Sequence, residues 1–198
     1  MPKIVDHEKQ RARVAEAAWR VISRDGMEEA TVRNIAKEAG MSAGSMRHYF
    51  STQSELLAFS MKFVSERIKE RALAADTSGD PLQAMERLLL EALPMDKERR
   101  DETEVWFAFI AKAFTDKTLQ PLSRRIHEEL LHGMESIVAG LVKLSLAPES
   151  TDIKLEALRL HSLIDGMAMH SVMNPEALPP EKMRIIVRDH LRSLLKKA

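Results

Sequence analysis

The sequence contains no cysteine, which excludes a disulfide framework and catalysis by a thiol. It has no apolar run approaching the roughly 20 residues needed to span a bilayer. Its amino end lacks the apolar core of a signal peptide. It also contains no glycine-rich phosphate loop and no Gly-x-Ser-x-Gly nucleophile motif. From these absences we expect a soluble cytoplasmic protein that needs no cofactor.

The chain also has no excess of positive or negative charge. The chain carries 30 Lys and Arg against 30 Asp and Glu. Over residues 1–50, nine basic side chains stand against seven acidic ones, and this bias is too small to indicate nucleic-acid binding. The 198 residues are enough for a small head on a larger body. Any DNA-binding function must therefore be argued from motifs.

Apolar residues recur at the spacing of a helix along much of the chain, whereas no segment alternates apolar and polar residues as a strand would. The pattern predicts an all-α fold. Residues 76–81 string together turn formers and indicate a linker. The predicted helices outside the motif discussed next cover residues 7–25, 52–74, 81–93, 98–115, 122–146, 152–173 and 181–196.

The stretch 31–57 predicts two short helices joined by a tight turn, followed by the start of a third. Thr31, Ser42 and Thr52 each stand where a hydroxyl can accept from a free N–H at a helix start. A glutamate three residues after Thr52 completes the pattern of a capping box. Gly40 lies where the chain leaves the first helix. Helix, glycine turn and short helix together predict a helix-turn-helix, whose second helix enters the DNA major groove.

The segment Ser42–Phe50 closely resembles the recognition region of the tetracycline-repressor family of transcriptional regulators. The match extends back through Ala36 and covers about the first quarter of the chain. The resemblance implies a helix-turn-helix head at residues 1–52 and a helical effector-binding and dimerisation domain at residues 53–198. It also implies a homodimer that binds double-stranded operator DNA as a repressor and releases it when a small molecule binds the larger domain.

Within the motif, the resemblance implies that Arg33 reaches a base edge and that Arg47 and His48 face out of the second helix. The family usually carries tyrosine where Arg47 stands, while Tyr49 matches a position that touches phosphate. The capping hydroxyls can also hold phosphate. The predicted DNA-binding residues are Thr31, Arg33, Ser42, Ser45, Arg47, His48, Tyr49 and Thr52.

Aromatic residues are few, at 5% of the chain, yet Trp106, Phe107, Phe109 and Phe114 crowd one helix. Such a cluster is either core or the wall of an apolar ligand cavity. The neighbouring sequence resembles the ligand domain of the choline-responsive branch of the family. A moderately hydrophobic effector ranks first and a choline-like cation second. The predicted ligand residues are Met85, Glu102, Trp106, Phe109, Phe114, Asp165 and Met167.

The predicted helix 152–173 is apolar on more than one side, so it must be covered by the core of its own subunit, or by that core and a second subunit. Together with the family resemblance, this favours a homodimer. Two alternatives remain open. Glu129 and His132 match the Glu-x-x-His of ferritin-like di-iron enzymes, but the sequence holds one such pair where a site needs two. The other alternative is a helical interaction module that no longer binds DNA.

Overall fold

The structure is a computed structural model that describes residues 7–196. Within these residues the chain is all-α, as predicted, with no strand and one short 3-10 helix at Met27–Glu29. The nine α-helices are α1 His7–Asp25, α2 Val32–Glu38, α3 Ala43–Arg47, α4 Gln53–Ala74, α5 Pro81–Leu90, α6 Lys97–Thr115, α7 Gln120–Lys143, α8 Ile153–Met173 and α9 Pro180–Ser193.

The described chain divides into two compact units. The first contains the residues up to Arg67 together with Glu104–Ser123, and the second contains Ile68–Thr103 and the residues from Arg124 onward. Three helices are shared between the units, because α4, α6 and α7 each begin in one unit and end in the other.

The core of the first unit joins α1 to the helix-turn-helix. An apolar stripe of α1 is buried, as are Ile35, Met46 and Phe50. Arg11 lies over the rings of both Phe50 and Phe59, at 5.0 and 4.5 Å from their centroids, a favourable cation–π geometry. Four buried side chains of the α1 stripe lie against this core: Val14, Ala17, Ala18 and Val21.

Polar contacts fix the far end of α2 in the same unit. The Glu38 carboxylate accepts from Arg20 Nε at 2.9 Å and from Arg24 Nη1 at 3.1 Å. These hydrogen bonds lower the pKa of Glu38, the Arg20 bond contributing most. Both arginines lie on α1, so they hold the end of α2 to that helix.

In the second unit, α7, α8 and α9 bury stripes at helical spacing. Arg100 donates to the last carbonyls of α8, those of Ser171 and Val172, at 3.3 and 2.9 Å. A guanidinium suits this position because a helix end exposes unpaired carbonyls and a partial negative charge. The buried stripes are Met134, Val138 and Leu141 on α7, Leu160, Ile164 and Met167 on α8, and Met183, Val187 and Leu191 on α9.

Four predicted helix boundaries were wrong by two or three residues. α5 stops at Leu90 rather than residue 93, since the N–H groups of the next three residues bond carbonyls three positions back instead of four. The residue before Pro94 is also disfavoured in a helix. α7 begins at Gln120, with Pro121 accommodated in its first turn. It ends at Lys143, because Ser145 adopts φ 59° and the Leu146 N–H turns back to Leu141. α9 ends at Ser193 rather than residue 196.

No helix in the described part of the chain is long and apolar enough to cross a membrane.

Candidate nucleic-acid interface

The first helix of the motif, α2, begins with the predicted cap. Thr31 Oγ1 accepts from the Asn34 backbone N–H at 3.2 Å, which satisfies one free donor of the first turn. Arg33 follows one residue later and is exposed, whereas Ile35 and Ala36 are buried. The cap and the buried face together hold the Arg33 side chain outside the core.

The turn between α2 and α3 is a Schellman motif. The Gly40 N–H bonds the Lys37 carbonyl at 3.1 Å, and the Met41 N–H bonds the Ala36 carbonyl at 2.8 Å. Gly40 has φ 65°, a left-handed conformation that glycine adopts without steric cost. A Cβ there would also approach Arg13 Nη2 to 3.2 Å. The turn therefore requires glycine, as the sequence predicted.

The second helix, α3, has five residues and a clear division of faces. Ser42 Oγ accepts from the Ser45 N–H at 3.0 Å and caps the helix. Met46 is fully buried, and burying a side chain of this size stabilises the fold by roughly 1.5–3 kcal/mol. Arg47 and His48 are exposed. The predicted orientation of α3 is confirmed: the apolar side holds the core and the basic side faces solvent.

Two further predicted residues flank this surface. Tyr49 is half-buried next to the fully buried Phe50. Thr52 is exposed, and its Oγ1 accepts from the Glu55 N–H at 3.0 Å, as a capping box requires. The Glu55 carboxylate accepts from the Ser51 hydroxyl at 2.7 Å and from the Ser51 N–H at 2.9 Å. These bonds lower the pKa of Glu55.

The first turn of α4 makes two contacts that the sequence did not predict. The Gln53 side-chain amide donates to the Ala30 carbonyl at 2.8 Å, just before α2. Ser54 donates to an Asp116 carboxylate oxygen at 2.6 Å, in the turn after α6. The Ser54 hydroxyl, together with Thr118, holds the pKa of Asp116 below its usual value. These partners lie 23 and 62 residues apart, so no local pattern could have revealed them.

Chemically, the surface around α2 and α3 is a set of donors. Arg33 and Arg47 carry guanidinium forks, which match the two acceptors on the major-groove edge of guanine. His48 and the exposed hydroxyls of Thr31 and Ser42 add shorter donors of the kind that contact phosphate. The structure brings these predicted residues onto one compact motif.

The predicted ligand aromatics lie in the first unit and separate into two environments. Trp106 and Phe109 stack, with ring centroids 5.9 Å apart and planes inclined by 23°, and Phe109 is fully buried. Phe114 is 80% exposed. The difference follows from spacing, since five positions beyond Phe109 a helix has turned by about 140°.

Of the predicted carboxylates in the second unit, Glu102 already has a strong partner. It is 3% exposed, and its two oxygens accept from the Arg71 guanidinium at 3.0 and 2.6 Å. Arg71 also reaches Glu91 at 3.2 Å. A ligand cation at Glu102 would have to compete with this fork.

Asp165 has a different setting on α8. Its carboxylate lies 3.6 Å from His161 Nε2, and the His161 ring lies 4.7 Å from that of His127 on α7. Burial raises the pKa of Asp165 and lowers the pKa of His161. The two predicted methionines are also in this unit: Met167 is buried, and Met85 packs where the absence of a side chain at Gly140 leaves room.

Within residues 7–196, no three His, Asp or Glu side chains are arranged to hold a metal ion. His132 Nδ1 instead lies 3.3 Å from Glu135 Oε2, and the imidazole is 81% exposed.

Comparison with known proteins bears on the whole chain. Residues 14–58 match the family model described as bacterial regulatory proteins, tetR family. Residues 81–196 match the model described as BetI-type transcriptional repressor, C-terminal, which spans more than half of the chain. This chain belongs to the TetR family. Its larger domain is of the BetI type.

Two curated relatives align over nearly the full chain. The transcriptional regulator PksA of Bacillus subtilis is 43% identical over 195 residues, covering 98% of this chain and 94% of PksA. The regulator BetI of Vibrio parahaemolyticus is 28% identical over 198 residues, covering 96% and 94%. Both are named HTH-type transcriptional regulators, and both alignments extend well beyond the head.

Solved structures agree in fold. A transcriptional regulator from Rhodococcus sp. Rha1 has a TM-score of 0.82 and 27% identity, covering 93% of this chain and 95% of its own. A regulator from Saccharomonospora viridis, solved with choline, has a TM-score of 0.86 at 22% identity, covering 96% and 100%. As a TetR-family member with a BetI-type domain, the protein is a ligand-responsive, DNA-binding transcriptional repressor.

Proposed function

We propose that two copies of this chain form a homodimer that holds an operator with two α3 helices and releases it when a small molecule binds. The observation that carries the DNA contact is the capped α3, with Met46 buried and Arg47 and His48 exposed. Recognition helices on a dyad read successive major grooves about 34–36 Å apart. An effector shifts this equilibrium by binding the two forms with different affinity.

The support for a homodimer is an exposed apolar stripe on the second unit. One side of α8 is buried in the core, while four apolar side chains on its outer side remain 45–75% exposed. On α9, Ile185 is 54% exposed. Exposed apolar side chains that recur on one side of a helix favour an interface with a second chain. The outer residues of α8 are Leu155, Leu158, Met169 and Met173.

We expect Arg47→Ala to lower operator affinity by about 1–3 kcal/mol and to relax the preference at one base pair, since a guanidinium fork reads guanine. Tyr49→Phe should weaken binding on all sequences alike if its hydroxyl holds phosphate. An operator from in vitro selection, titrated by fluorescence anisotropy, provides the measurement.

Arg125→Ala is the matched control, because Arg125 is an exposed arginine on α7 outside the motif. It should leave operator affinity nearly unchanged. If Arg47→Ala and Tyr49→Phe bind the operator as tightly as the control, neither residue belongs to the interface.

Each of the two units offers groups that suit one class of effector. The Trp106–Phe109 stack offers apolar and aromatic surface, which favours a moderately hydrophobic molecule. Asp165 is the better of the two predicted carboxylates for a cation, because Glu102 is bound by Arg71. The BetI-type domain and the choline named for the Saccharomonospora structure support a quaternary ammonium compound as the second class.

For the effector, we expect a ligand of one of these classes to raise the melting temperature and release operator DNA, and Trp106→Ala to abolish both effects. Thermal-shift screening followed by anisotropy measures them. Phe114 was predicted as a ligand residue, but its ring is 80% exposed. We therefore expect Phe114→Ala to leave both effects in place, and it controls for the loss of an aromatic ring from the same helix. If no compound has both effects and Trp106→Ala lowers stability alone, the aromatic pair is core.

We also propose that the protein acts without a cofactor, as a regulator and not an enzyme, since PksA and BetI are named as regulators. We expect the protein in the cytoplasm, because a regulator must reach the DNA that it binds and bacterial DNA lies there.

A further inference from the structure

A groove of about 580 Å³ lies in the second unit, where α5 packs against α9. Its charged lining is unbalanced: four guanidinium groups face two carboxylates, an excess of two positive charges. None of these residues was predicted to bind DNA or effector. The charged residues are Arg87, Arg184, Arg188, Arg192, Asp80 and Glu86.

The three arginines of α9 recur at intervals of four, so they form a stripe along one face. Like charges at this spacing repel one another. Each arginine follows directly after one residue of the buried stripe Met183, Val187 and Leu191. The arginine stripe therefore borders the core and lines the groove, instead of spreading around the solvent face of the helix.

One arginine of the stripe is held by a buried anchor. Glu86 is 6% exposed, and its two oxygens accept from Arg188 Nε and Nη2, both at 2.9 Å. Arg184 Nη1 lies further away, 3.8 Å from the same carboxylate. Because the Arg188 fork occupies both oxygens of Glu86, this carboxylate orients Arg188 and makes only a long ion pair with Arg184.

The remaining arginines keep donors for a ligand. Arg87 donates to the backbone carbonyls of Asp76 and Ser78, at 2.6 and 2.9 Å, and these neutral acceptors leave its charge in place. Asp80 uses a side-chain oxygen to accept from the Gln83 N–H as a helix cap. Among the hydrogen bonds within residues 7–196, none is donated by the guanidinium of Arg184 or Arg192.

We propose that this groove binds a small oxyanion with at least two anionic groups, such as a diphosphate-bearing or polycarboxylate metabolite. The planar guanidinium fork matches the paired oxygens of phosphate and carboxylate. The volume suits a metabolite, since ligand sites commonly enclose about 300–1,000 Å³. The proposal stands apart from the effector and operator assignments, because it uses none of their residues.

The test is calorimetric titration of the full chain with sodium pyrophosphate, and in a second arm with citrate, at about 50 mM KCl, where charge interactions are weakly screened. Saturable binding with one site per chain is expected, weakening as KCl is raised. The double variant Arg184→Gln/Arg192→Gln should lose at least about tenfold in affinity, because it removes two guanidinium forks that donate no hydrogen bond within residues 7–196.

The matched control is Arg124→Gln/Arg125→Gln, which removes the same charge from exposed positions on α7 and should bind like the wild type. Pyrophosphate binding and citrate binding distinguish phosphate from carboxylate ligands, and either supports the site. Absence of both, or equal weakening by the two double variants, overturns it. If neither anion binds and the α9 double variant alone loses affinity for nonspecific DNA, the stripe serves nucleic acid instead.

Discussion

Replacing Glu102 by alanine should lower the free energy of unfolding by about 3 kcal/mol. Removing one partner of a buried ion pair typically costs 3–5 kcal/mol, because the other charge is left without compensation. The lower end applies here, since the Arg71 side chain is 27% exposed and keeps its contact with Glu91. Urea unfolding at fixed protein concentration measures the change.

Glu128→Ala is the matched control for this prediction, because Glu128 is an exposed glutamate on α7 in the same unit. We expect it to change stability by less than about 0.5 kcal/mol. Glu102→Gln, which keeps the shape and removes the charge, should fall between the two variants. A Glu102→Ala protein as stable as the Glu128→Ala protein would show that the fork with Arg71 does not stabilise the fold.

The double variant Leu158→Glu/Met169→Glu should convert the proposed dimer into a monomer at micromolar concentration. A charge placed in a dry interface loses its hydration without gaining a partner, which costs several kcal/mol. Both side chains are about half exposed in the single chain, so the isolated subunit should still fold. Light scattering measures the mass of the protein in solution. Operator affinity should fall as the mass falls, because a monomer has one head and binds one half-site.

Leu73→Glu serves as the control for assembly: it places the same charge on an exposed leucine of α4 and should leave the dimer intact. Leu163 and Ile186, which also lie on α8 and α9, are less suitable positions for this test. Each is only partly exposed here, and a charge at either would disturb the subunit core as well. A wild-type protein that is monomeric at micromolar concentration would contradict the dimer.

Most of the head could be predicted from the sequence because its signals are local. Thr31, Ser42 and Thr52 each bond an N–H three residues ahead, and Gly40 closes a turn within five residues. The burial of Met46 and Phe50 and the exposure of Arg47 follow from helical spacing. Interactions at such short separation are encoded where they occur, so they can be recognised without knowing the fold.

The body was predictable as a set of helices but not as a set of sites. The aromatic residues of α6 were recognised as a cluster, yet only the structure shows that Trp106 and Phe109 stack while Phe114 is exposed. Helical spacing assigns a face to each ring. Which face the protein covers depends on helices elsewhere in the chain.

By itself, the sequence determined the all-α class, the helix-turn-helix and the family, since these rest on periodicity, capping and motif. Only the tertiary structure decided the partners of charged groups. Glu102 pairs with Arg71 across 31 residues, and Glu86 pairs with Arg188 across 102. A carboxylate in a sequence can serve a ligand, an arginine or the solvent, and the choice is made by whichever guanidinium folding brings within hydrogen-bond distance.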